Sequence, residues 1–414
     1  MEGTVKIALV GAGMFGADVH ARAYADLERS GIAANLARVG LDAWARELAP
    51  VKFELVAIAT RSEASARRAS AQYRAWTGRE PRAYWGERPW RDLLGDFPDL
   101  DVMAVATPDH LHTPVVLAAL ERGAHAITEK PMCLSIEEAD RIVDASHAKG
   151  LIVAVDMHKR YDPDHTRIRA ELSRRIGEPL YGLAFLEEPL EVSTRTFKWA
   201  EASDPFSYVG AHWTDLFYSY YRSKPVALTA VGQKKRLARA SIDAYDAVQV
   251  RVDFANGMSV YFQNNWITPP DFEGPVNQGH EIVGTEGKIE SDQQYRGLRY
   301  WYAGAGSRTE NSHFTRDVRR PDGSSAYVGY GVDSITASLA AICRVKFFGE
   351  ERRITTAIID AARRVRDLNF RYLREGKGAP VSARFGDDGI TIIDPNRIDE
   401  GAAAVFQKVY SRPI

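Results

Sequence analysis

The stretch VKIALVGAGMFG, residues 5–16, decides the fold class of the N-terminal half of this chain. Its first half is an apolar run typical of a buried β-strand, and its second half carries glycines directly before a segment with helical spacing. In such a strand–loop–helix unit, Gly11 permits a tight turn, Gly13 lets the backbone approach a pyrophosphate, and Gly16 lets helix and strand pack closely. The anion then lies at the N-terminus of the helix. The stretch therefore predicts a dinucleotide-binding domain.

Short apolar runs alternate with amphipathic segments as far as residue 155, as in a parallel sheet connected by helices. The crossover between the first two strands is about twenty residues longer than usual, so we interpret residues 30–52 as an insertion, in which 35–49 has the spacing of a helix. Ser135 and Glu138 form a capping box at the start of the last helix. The predicted strands are residues 5–10, 53–59, 102–106, 124–128 and 151–155, and the predicted helices are 14–29, 62–76, 111–122 and 135–149.

Beyond residue 180 the hydrophobic pattern changes to strict alternation. Residues 248–254 alternate apolar and polar side chains, Asn256-Gly257 supplies a tight turn, and 258–264 returns as the partner strand. We predict a Rossmann domain over residues 1–155 and an α+β domain with a large, mostly antiparallel open-faced sheet over 156–414. Further predicted elements are strands at about 181–187, 227–233, 280–284 and 298–303, helices at 333–346 and 355–375, and a closing arm from Ala379 onward.

Composition excludes several classes of partner. Lys plus Arg is 54 and Asp plus Glu is 55, so the net charge of −1 favours a small-molecule ligand over nucleic acid or an anionic membrane. The two cysteines, Cys133 and Cys343, are too few for a disulfide framework and lack the spacing of a metal site. No apolar run is long enough to span a bilayer. We therefore expect a cytoplasmic protein without a bound metal.

The second predicted strand ends without the acidic residue that usually holds the ribose hydroxyls of NAD. Thr60 and Ser62 can hydrogen-bond a 2′-phosphate, and Arg61, with Arg67 or Arg68, can neutralise it. Arg61 can equally stack on the adenine of either cofactor. NAD and NADP both remain open.

Three motifs follow the glycine loop in order: ATPDHLH at residues 106–112, TEKP at 128–131 and GAHWTD at 210–215. With that loop, they make the chain resemble the Gfo/Idh/MocA family of sugar and polyol oxidoreductases over essentially its whole length. The resemblance implies a Rossmann domain followed by an open-faced sheet domain, with NAD or NADP as cofactor. It also implies a carbohydrate or polyol substrate, and a homodimer or homotetramer formed through the sheet.

Oxidation of a secondary alcohol needs a hydride acceptor, a base for the hydroxyl proton and a cation for the developing alkoxide. Lys130 follows a predicted parallel strand at the ligand-binding edge of the sheet, and the resemblance gives it the catalytic position. His212 is the predicted proton acceptor, because an imidazole titrates near neutral pH. The family usually has Asp four residues earlier, where this chain has Tyr208, whose phenol can relay a proton or shape the pocket. Asp215 can orient the imidazole or cap a neighbouring helix.

The resemblance also places residues around cofactor and substrate. Trp199, Trp213 and Trp266 are candidates for stacking on sugar C–H faces, although aromatic residues near a sheet more often belong to the core. The predicted catalytic residues are Lys130, His212 and Tyr208, and the predicted substrate-binding residues are Arg160, Tyr161, Trp199 and Asp215. The predicted cofactor-binding residues are Gly11, Gly13, Met14, Phe15, Gly16, Thr60, Arg61, Ser62, Thr107, Asp109, His112, Glu129 and Lys130.

Three functions are compatible with these residues. The first is an NAD(P)-dependent enzyme that transfers a hydride between nicotinamide C4 and a secondary hydroxyl or ketone of a sugar, sugar derivative or inositol-like polyol. The second is a redox-neutral glycoside hydrolase that uses the nicotinamide transiently, which the replacement at Tyr208 keeps open. The third is a cofactor-binding regulator without chemistry, which the presence of both Lys130 and His212 disfavours. We predict the first, an oxidoreductase of carbohydrate metabolism.

Overall fold

The computed structural model describes residues 3–304, 306–320, 323, 325–350, 381–386 and 389–393. The chain divides into two compact units. The first comprises Met1–Pro163 and Ser312–Arg363, and the second comprises Asp164–Asn311 and Arg364–Ile414.

The first unit is built on a sheet of six parallel strands in the order β3-β2-β1-β4-β5-β6. The order of strands along the sheet reverses between β1 and β4, which makes this the topological switch point. Ligands of open α/β sheets bind at such a point, outside the carboxyl ends of the strands. This sheet confirms the predicted Rossmann class. The strands are β1 (Gly3–Val10), β2 (Val51–Thr60), β3 (Arg82–Trp85), β4 (Val102–Val105), β5 (His125–Glu129) and β6 (Val153–Asp156).

The crossover segments of the first unit are helical, as the spacing predicts, with two additions and one change. Strand β3 and helix α5 (Trp90–Asp96) were not predicted, because both are short and lack a clear period. The single helix predicted over 35–49 is two helices, because Gly40 takes a positive φ of 78° between them. The helices are α1 (Arg22–Ser30), α2 (Ala33–Arg38), α3 (Asp42–Leu48), α4 (Glu63–Thr77), α5 (Trp90–Asp96), α6 (His112–Arg122) and α7 (Ile136–Lys149).

The remaining elements follow in chain order. They are α8 (Pro163–Arg175), β7 (Pro179–Pro189), α9 (Ala211–Tyr221), β8 (Pro225–Gln233), α10 (Arg236–Arg239), β9 (Ala247–Phe254), β10 (Ser259–Thr268), β11 (Asn277–Gly284), β12 (Lys288–Asp292), β13 (Arg299–Tyr302), β14 (Gly306–Thr309), β15 (Arg316–Arg319), β16 (Ser325–Val328), α11 (Tyr330–Phe348), β17 (Val381–Gly386) and β18 (Gly389–Ile393).

The second unit contains an eight-stranded sheet in the order β12-β11-β7-β10-β9-β8-β17-β18. Only the β7–β10 pair is parallel among these neighbours, so the predicted mostly antiparallel sheet is confirmed. Trp213 and Phe217 of α9 are buried with Phe262 of β10 in the core of this unit. The strand predicted over 298–303 instead pairs with β14 in a separate two-stranded ribbon.

One helix of the C-terminal half belongs to the first unit. The predicted second domain included every residue after 155, yet α11 packs with the first unit. Val332, Ile335 and Leu339 are fully buried in the same hydrophobic core as Ile7 of β1, which explains this placement. The predicted helix at 355–375 lies outside the described residues.

None of the described helices is long and apolar enough to cross a membrane. Cys133 and Cys343 are both buried, and neither forms a disulfide bond.

Candidate functional site

The glycine loop between β1 and α1 is shaped by two contacts within the chain and one open position. Gly11 has a φ of 97°, and a Cβ there would lie 2.2 Å from the carbonyl oxygen of Ala106. A Cβ at Gly16 would lie 2.1 Å from the Gly11 oxygen. Apart from Gly13 and its two chain neighbours, no atom of the described residues lies within 4 Å of the position that a Cβ at Gly13 would take. The chain itself therefore requires Gly11 and Gly16, whereas the open surface at Gly13 is what a closely approaching pyrophosphate needs.

The helix that follows the loop begins with a π-helical turn, Gly16–Ala21, before α1. Met14 is 61% exposed at the loop tip. Phe15 points the other way, with its ring 5.9 Å from that of His158 and 5.8 Å from that of Phe314. The loop is thus anchored on one side by aromatic packing within the first unit.

The segment at the end of β2 contains the exposed Arg61 and the hydroxyl groups of Thr60 and Ser62, which form hydrogen bonds with the backbone. The Thr60 hydroxyl donates to the Ser62 carbonyl oxygen at 2.8 Å, and the Ser62 hydroxyl oxygen accepts from the Ser65 N–H at 3.3 Å, capping α4. Arg67 is bound at 2.8 Å by a carboxylate one helical turn earlier. The Arg61 side chain is exposed and makes no ion pair among the described residues, so it is the group at this edge most available to a cofactor.

The loop after β4 is tied to the loop after β5 by His112. Its Nδ1 lies 2.6 Å from the Pro131 carbonyl oxygen, and its Nε2 lies 2.8 Å from that of Thr107. Burial lowers the pKa of His112. Asp109 is buried in the same loop. The predicted cofactor residues Thr107, Asp109 and His112 therefore lie together and brace the segment that carries Lys130.

Lys130 and its neighbour Glu129 are both buried at the carboxyl end of β5. Lys130 is only 5% exposed, which excludes a solvated surface lysine. Glu129 Oε1 lies 3.0 Å from His20 Nε2, and His20 Nδ1 lies 3.1 Å from the Tyr24 hydroxyl oxygen. Asp156 Oδ2, at the end of β6, lies 3.9 Å from the same His20 Nε2. A buried cluster of one imidazole and two carboxyl groups thus adjoins the lysine.

Charges in this cluster balance one another. Burial lowers the pKa of His20, but the hydrogen bond and the charge of Glu129 outweigh burial, so the pKa is raised. Burial raises the pKa of Glu129, but His20 and the charge of Lys130 outweigh burial, so that pKa is lowered. Burial and the charge of Glu129 raise the pKa of Asp156 to about 8. These pKa shifts favour the charged form of His20, the ionised form of Glu129 and the protonated form of Asp156.

Sequence reasoning missed His20 and Asp156. The available signals were a histidine one helical turn after Gly16, on the helix that follows the glycine loop, and an acidic residue directly after the apolar run of β6. Neither signal identifies the partner, because residues 20, 129 and 156 meet only when strands and helix assemble.

His212 and Tyr208 lie on consecutive helical segments of the second unit. Tyr208 belongs to a π-helical turn, Phe206–Gly210, that leads directly into α9, which carries His212 and Asp215. His212 and Asp215 are buried. All three residues therefore belong to one continuous helical stretch.

Tyr208 lies in an aromatic cluster. Its ring is edge-on to Phe197 at 4.8 Å and to Trp199 at 5.8 Å, and it lies 6.2 Å from Trp266. The Trp266 indole donates to Glu188 at 2.7 Å. The residue that stands where the family usually has Asp is thus held by aromatic rings.

Two of the three candidate stacking tryptophans belong to the core. Trp213 and Trp266 are fully buried, and Trp213 donates to the Phe185 carbonyl oxygen at 2.9 Å. Trp199 is half-buried and stacks on Phe197 at 4.4 Å. Of the three, only Trp199 retains an accessible surface.

The predicted site residues fall into two groups, one in each unit. Arg160 and Tyr161 are half-buried in a 3₁₀ turn directly after β6. They belong to the first unit with the predicted cofactor-binding residues and Lys130. The second unit carries Trp199, Tyr208, His212 and Asp215.

The first unit fits a nicotinamide dinucleotide. The open surface at Gly13 would hold the pyrophosphate, and Arg61 at the end of β2 would hold the adenosine ribose. The loops after β4 and β5 would hold the nicotinamide end, because both lie at the carboxyl edge beyond the switch point.

Comparisons with known proteins agree with this geometry. The family model described as "Oxidoreductase family, NAD-binding Rossmann fold" matches residues 5–157, and the model of the GFO/IDH/MocA C-terminal domain matches residues 169–290. Together they cover about two thirds of the chain.

Individual relatives are more distant. An inositol 2-dehydrogenase of Acidothermus cellulolyticus is 28% identical over 61% of this chain and 76% of its own length. A 1,5-anhydro-D-fructose reductase of Ensifer adhaerens is 26% identical over 48% of this chain, and the match spans 58% of that relative. The structure of a myo-inositol 2-dehydrogenase from Lactobacillus plantarum matches with a TM-score of 0.65 at 15% identity, covering 88% of this chain and 94% of that chain, which is a likeness of fold.

Two models of one family match in order, the first over the glycine loop and six-stranded sheet and the second over part of the mixed sheet. The chain therefore belongs to the Gfo/Idh/MocA oxidoreductase family and contains its NAD-binding Rossmann domain.

Proposed function

We propose that the protein is an NAD(P)-dependent dehydrogenase or reductase that interconverts a secondary hydroxyl and a ketone on an inositol-like polyol, a sugar or a sugar derivative. The observation that carries the proposal is the burial of Lys130 at the carboxyl end of β5, in a parallel sheet with a glycine-lined dinucleotide loop. Relatives named as an inositol 2-dehydrogenase and an anhydrofructose reductase support the substrate class.

When bound, the nicotinamide accepts or supplies the hydride at C4. The Lys130 ammonium donates a hydrogen bond to the substrate oxygen and stabilises negative charge that develops there. A ring nitrogen of His212 takes the hydroxyl proton during oxidation and returns it during reduction. Arg160, Tyr161, Trp199 and Asp215 orient the substrate in this proposal.

Tyr208 supports a second candidate, redox-neutral cleavage of a glycoside. A phenol held among Phe197, Trp199 and Trp266 cannot supply the carboxylate that the family usually has at this position. In this candidate, transient oxidation of a ring hydroxyl acidifies the neighbouring C–H, and elimination releases the aglycone. Water then adds to the resulting unsaturated ketone, and the final reduction gives the free sugar and regenerates the starting form of the cofactor.

Absorbance of reduced nicotinamide distinguishes the two candidates. Purified protein is mixed with NAD or NADP in the oxidised form and a panel of inositols, monosaccharides and glycosides. A steady rise with one substrate supports the dehydrogenase. Release of free sugar from a glycoside without a rise supports the redox-neutral enzyme, and neither signal with any substrate contradicts both.

Substitution of Lys130 tests its role directly. Lys130→Met should lower kcat by about a thousandfold or more while the cofactor still binds, because the alkoxide loses its charged hydrogen-bond donor. The matched control is Lys52→Met, which changes an exposed lysine on β2. Cofactor binding is measured by fluorescence titration, and unchanged turnover in Lys130→Met would remove the lysine from the mechanism.

We also propose that the chain associates through the large sheet of the second unit. Tyr181 of β7 and Tyr261 of β10 are both 48% exposed on the same face of neighbouring strands. Two exposed aromatic rings side by side favour a contact with another copy. Light scattering should report a dimer or tetramer, and Tyr261→Lys should shift it toward the monomer.

A further inference from the structure

The cluster of His20, Glu129 and Asp156 combines three buried groups from three different elements. His20 is 0% exposed on the π-helical turn after the glycine loop, Glu129 ends β5, and Asp156 is 1% exposed at the end of β6. The cofactor loop, the strand that leads to Lys130 and the last strand of the sheet therefore meet at one point.

Two carboxyl groups beside one imidazole in a dry interior repel each other when both are ionised, so the hydrogen-bonded carboxyl group keeps its charge more readily than its neighbour. The 3.0 Å contact from His20 Nε2 to Glu129 Oε1 is an ordinary hydrogen bond, in which the Glu129 carboxylate accepts from the imidazole N–H. Asp156 lies 3.9 Å from the same nitrogen and receives no such bond. The geometry thus distinguishes Glu129, which is hydrogen-bonded to His20, from Asp156, which lies beyond hydrogen-bond distance of that ring and close to the Glu129 charge.

Other titratable and charged groups act on the same point. Tyr24 adjoins His20 on α1, and Lys130 follows Glu129. From the segment after β6, His158 acts on Glu129, and Lys159 and Asp162 act on His158 in turn. Burial lowers the pKa of His158 to about 3, so it adds no charge near neutral pH. In addition to His20, the charge of Lys130 therefore favours the ionised form of Glu129.

We propose that His20, Glu129 and Asp156 form a buried proton-holding unit that keeps Glu129 ionised next to Lys130, and that His20 and Asp156 are positioning residues for this lysine. The part of this inference that concerns Lys130 rests on the proposed function, whereas the charge states of the three buried residues do not depend on it. His20 supplies the positive charge, Asp156 stores a proton instead of adding a second negative charge, and Glu129 holds the ammonium of Lys130 in its charged form.

Infrared spectroscopy on the full-length protein tests the proton on Asp156 without any substrate. Wild-type protein at neutral pH should show the carbonyl stretching band of a protonated carboxylic acid, and the band should titrate near pH 8. Asp156→Asn, which has the same shape, should lack this band. Absence of the band in the wild-type protein, or its survival in Asp156→Asn, overturns the proposal.

Nitrogen NMR of ¹⁵N-histidine-labelled protein tests the charge on His20. We expect both ring nitrogens to be protonated near neutral pH in the wild type, and Glu129→Gln to convert the ring to its neutral form because the carboxylate is lost. A neutral His20 in the wild-type protein contradicts the proposal.

Kinetics then test the link to Lys130. In His20→Gln, Glu129 loses its charged partner, so we expect kcat to fall by about tenfold and the pH profile of kcat to shift by about one pH unit. The matched control is His125→Gln. His125 is a buried histidine at the opposite end of β5 that accepts a hydrogen bond from the Ile152 N–H at 2.9 Å, so its loss should lower stability without moving the pH profile.

The outcomes separate the two proposals. If no substrate turns over but the infrared and NMR results hold, the proposed function fails and the proton-holding unit stands. If His20→Gln and His125→Gln shift the pH profile equally, His20 has only a structural role. A stoichiometric metal ion in the purified protein that is lost in His20→Gln would also overturn the proposal, since the three side chains place ligand atoms within 4.8 Å of one another.

Discussion

At the scale of single residues, burial distinguishes side chains that the sequence presents alike. Lys130 and Lys52 are both lysines at or near strand ends, yet Lys130 is buried and Lys52 is exposed. Trp213 and Trp199 both lie near the proposed catalytic histidine in sequence, yet only Trp199 keeps an accessible surface. A lysine inside a protein must have a partner or a function, which is why its burial carries more weight than its motif.

The raised pKa of Asp156 predicts a pH-dependent stability. An unfolded aspartate titrates near 3.8, whereas burial and the charge of Glu129 raise the folded value to about 8, so only the folded state holds the proton between these pH values. Through this window, this group makes the free energy of unfolding fall as pH rises, by at most about 1.4 kcal/mol per pH unit.

Asp156→Asn should remove that contribution, because an amide does not titrate. Denaturant unfolding at about pH 5 and about pH 8 measures the difference between variant and wild type at each pH. The variant should gain stability relative to the wild type at the higher pH. An equal difference at both pH values would contradict the raised pKa.

Arg61 predicts cofactor preference at the end of β2. Arg61→Ala should raise the Kd for NADP by about tenfold and that for NAD by about twofold or less, because a 2′-phosphate loses a charged hydrogen bond. Fluorescence titration with both cofactors measures this, with Arg91→Ala at an exposed position of α5 as the control. Equal losses for both cofactors would favour stacking on the adenine instead.

At the scale of elements, the three glycines of the loop between β1 and α1 are required for different reasons. Gly11 and Gly16 are forced by contacts of about 2 Å that any Cβ would make with backbone oxygen atoms. Gly13 has open space around it, so the packing of the described residues does not require glycine there, whereas close approach of a pyrophosphate would. The same loop therefore encodes both a packing requirement and a binding requirement.

This distinction predicts opposite effects for two alanine substitutions. Gly16→Ala should cost about 1–3 kcal/mol of stability, because its Cβ would overlap the Gly11 oxygen. Gly13→Ala should fold with an almost unchanged Tm and bind the cofactor at least about tenfold more weakly. Thermal unfolding and fluorescence titration of the two variants check this, and an equal loss of stability in both would remove the distinction.

At the scale of the whole molecule, each unit has its own hydrophobic core, and a segment from the C-terminal half of the chain belongs to the first unit. Helix α11 lies in the C-terminal half, yet Leu339 and Ile342 are buried in the core around β1. Phe262 of β10 is fully buried in the core of the second unit. The first unit is therefore incomplete without a segment that begins about 150 residues after the end of its N-terminal part.

Matched core truncations should act in different units. Leu339→Ala should cost about 2–5 kcal/mol and accelerate amide exchange in β1 and β4, since it leaves a cavity beside them. Phe262→Ala should cost a similar amount and accelerate exchange in β9 and β10 instead. Exchange followed by mass spectrometry measures both, and faster exchange of β9 in Leu339→Ala would contradict the placement of α11.

Local patterns in the sequence determined most of the fold. The apolar run of β1 with its glycines, the alternation in β9 and β10 and the capping serine before α7 each depend on residues within a few positions of one another. For that reason the Rossmann class, the antiparallel character of the second sheet and the family were all predictable. β3 and α5 were missed because four to seven residues are too few to show a period.

Contacts between distant residues were decided only by the tertiary structure. It brought His20, Glu129 and Asp156 together, buried Trp213 and Trp266 as core residues, and returned α11 to the first unit. Hydrophobic spacing reports which face of an element is buried, but not which element covers it. The sequence by itself therefore determined the elements and the cofactor loop of this protein, whereas the charge state around Lys130 depended on tertiary packing, because burial and neighbouring charges set a pKa.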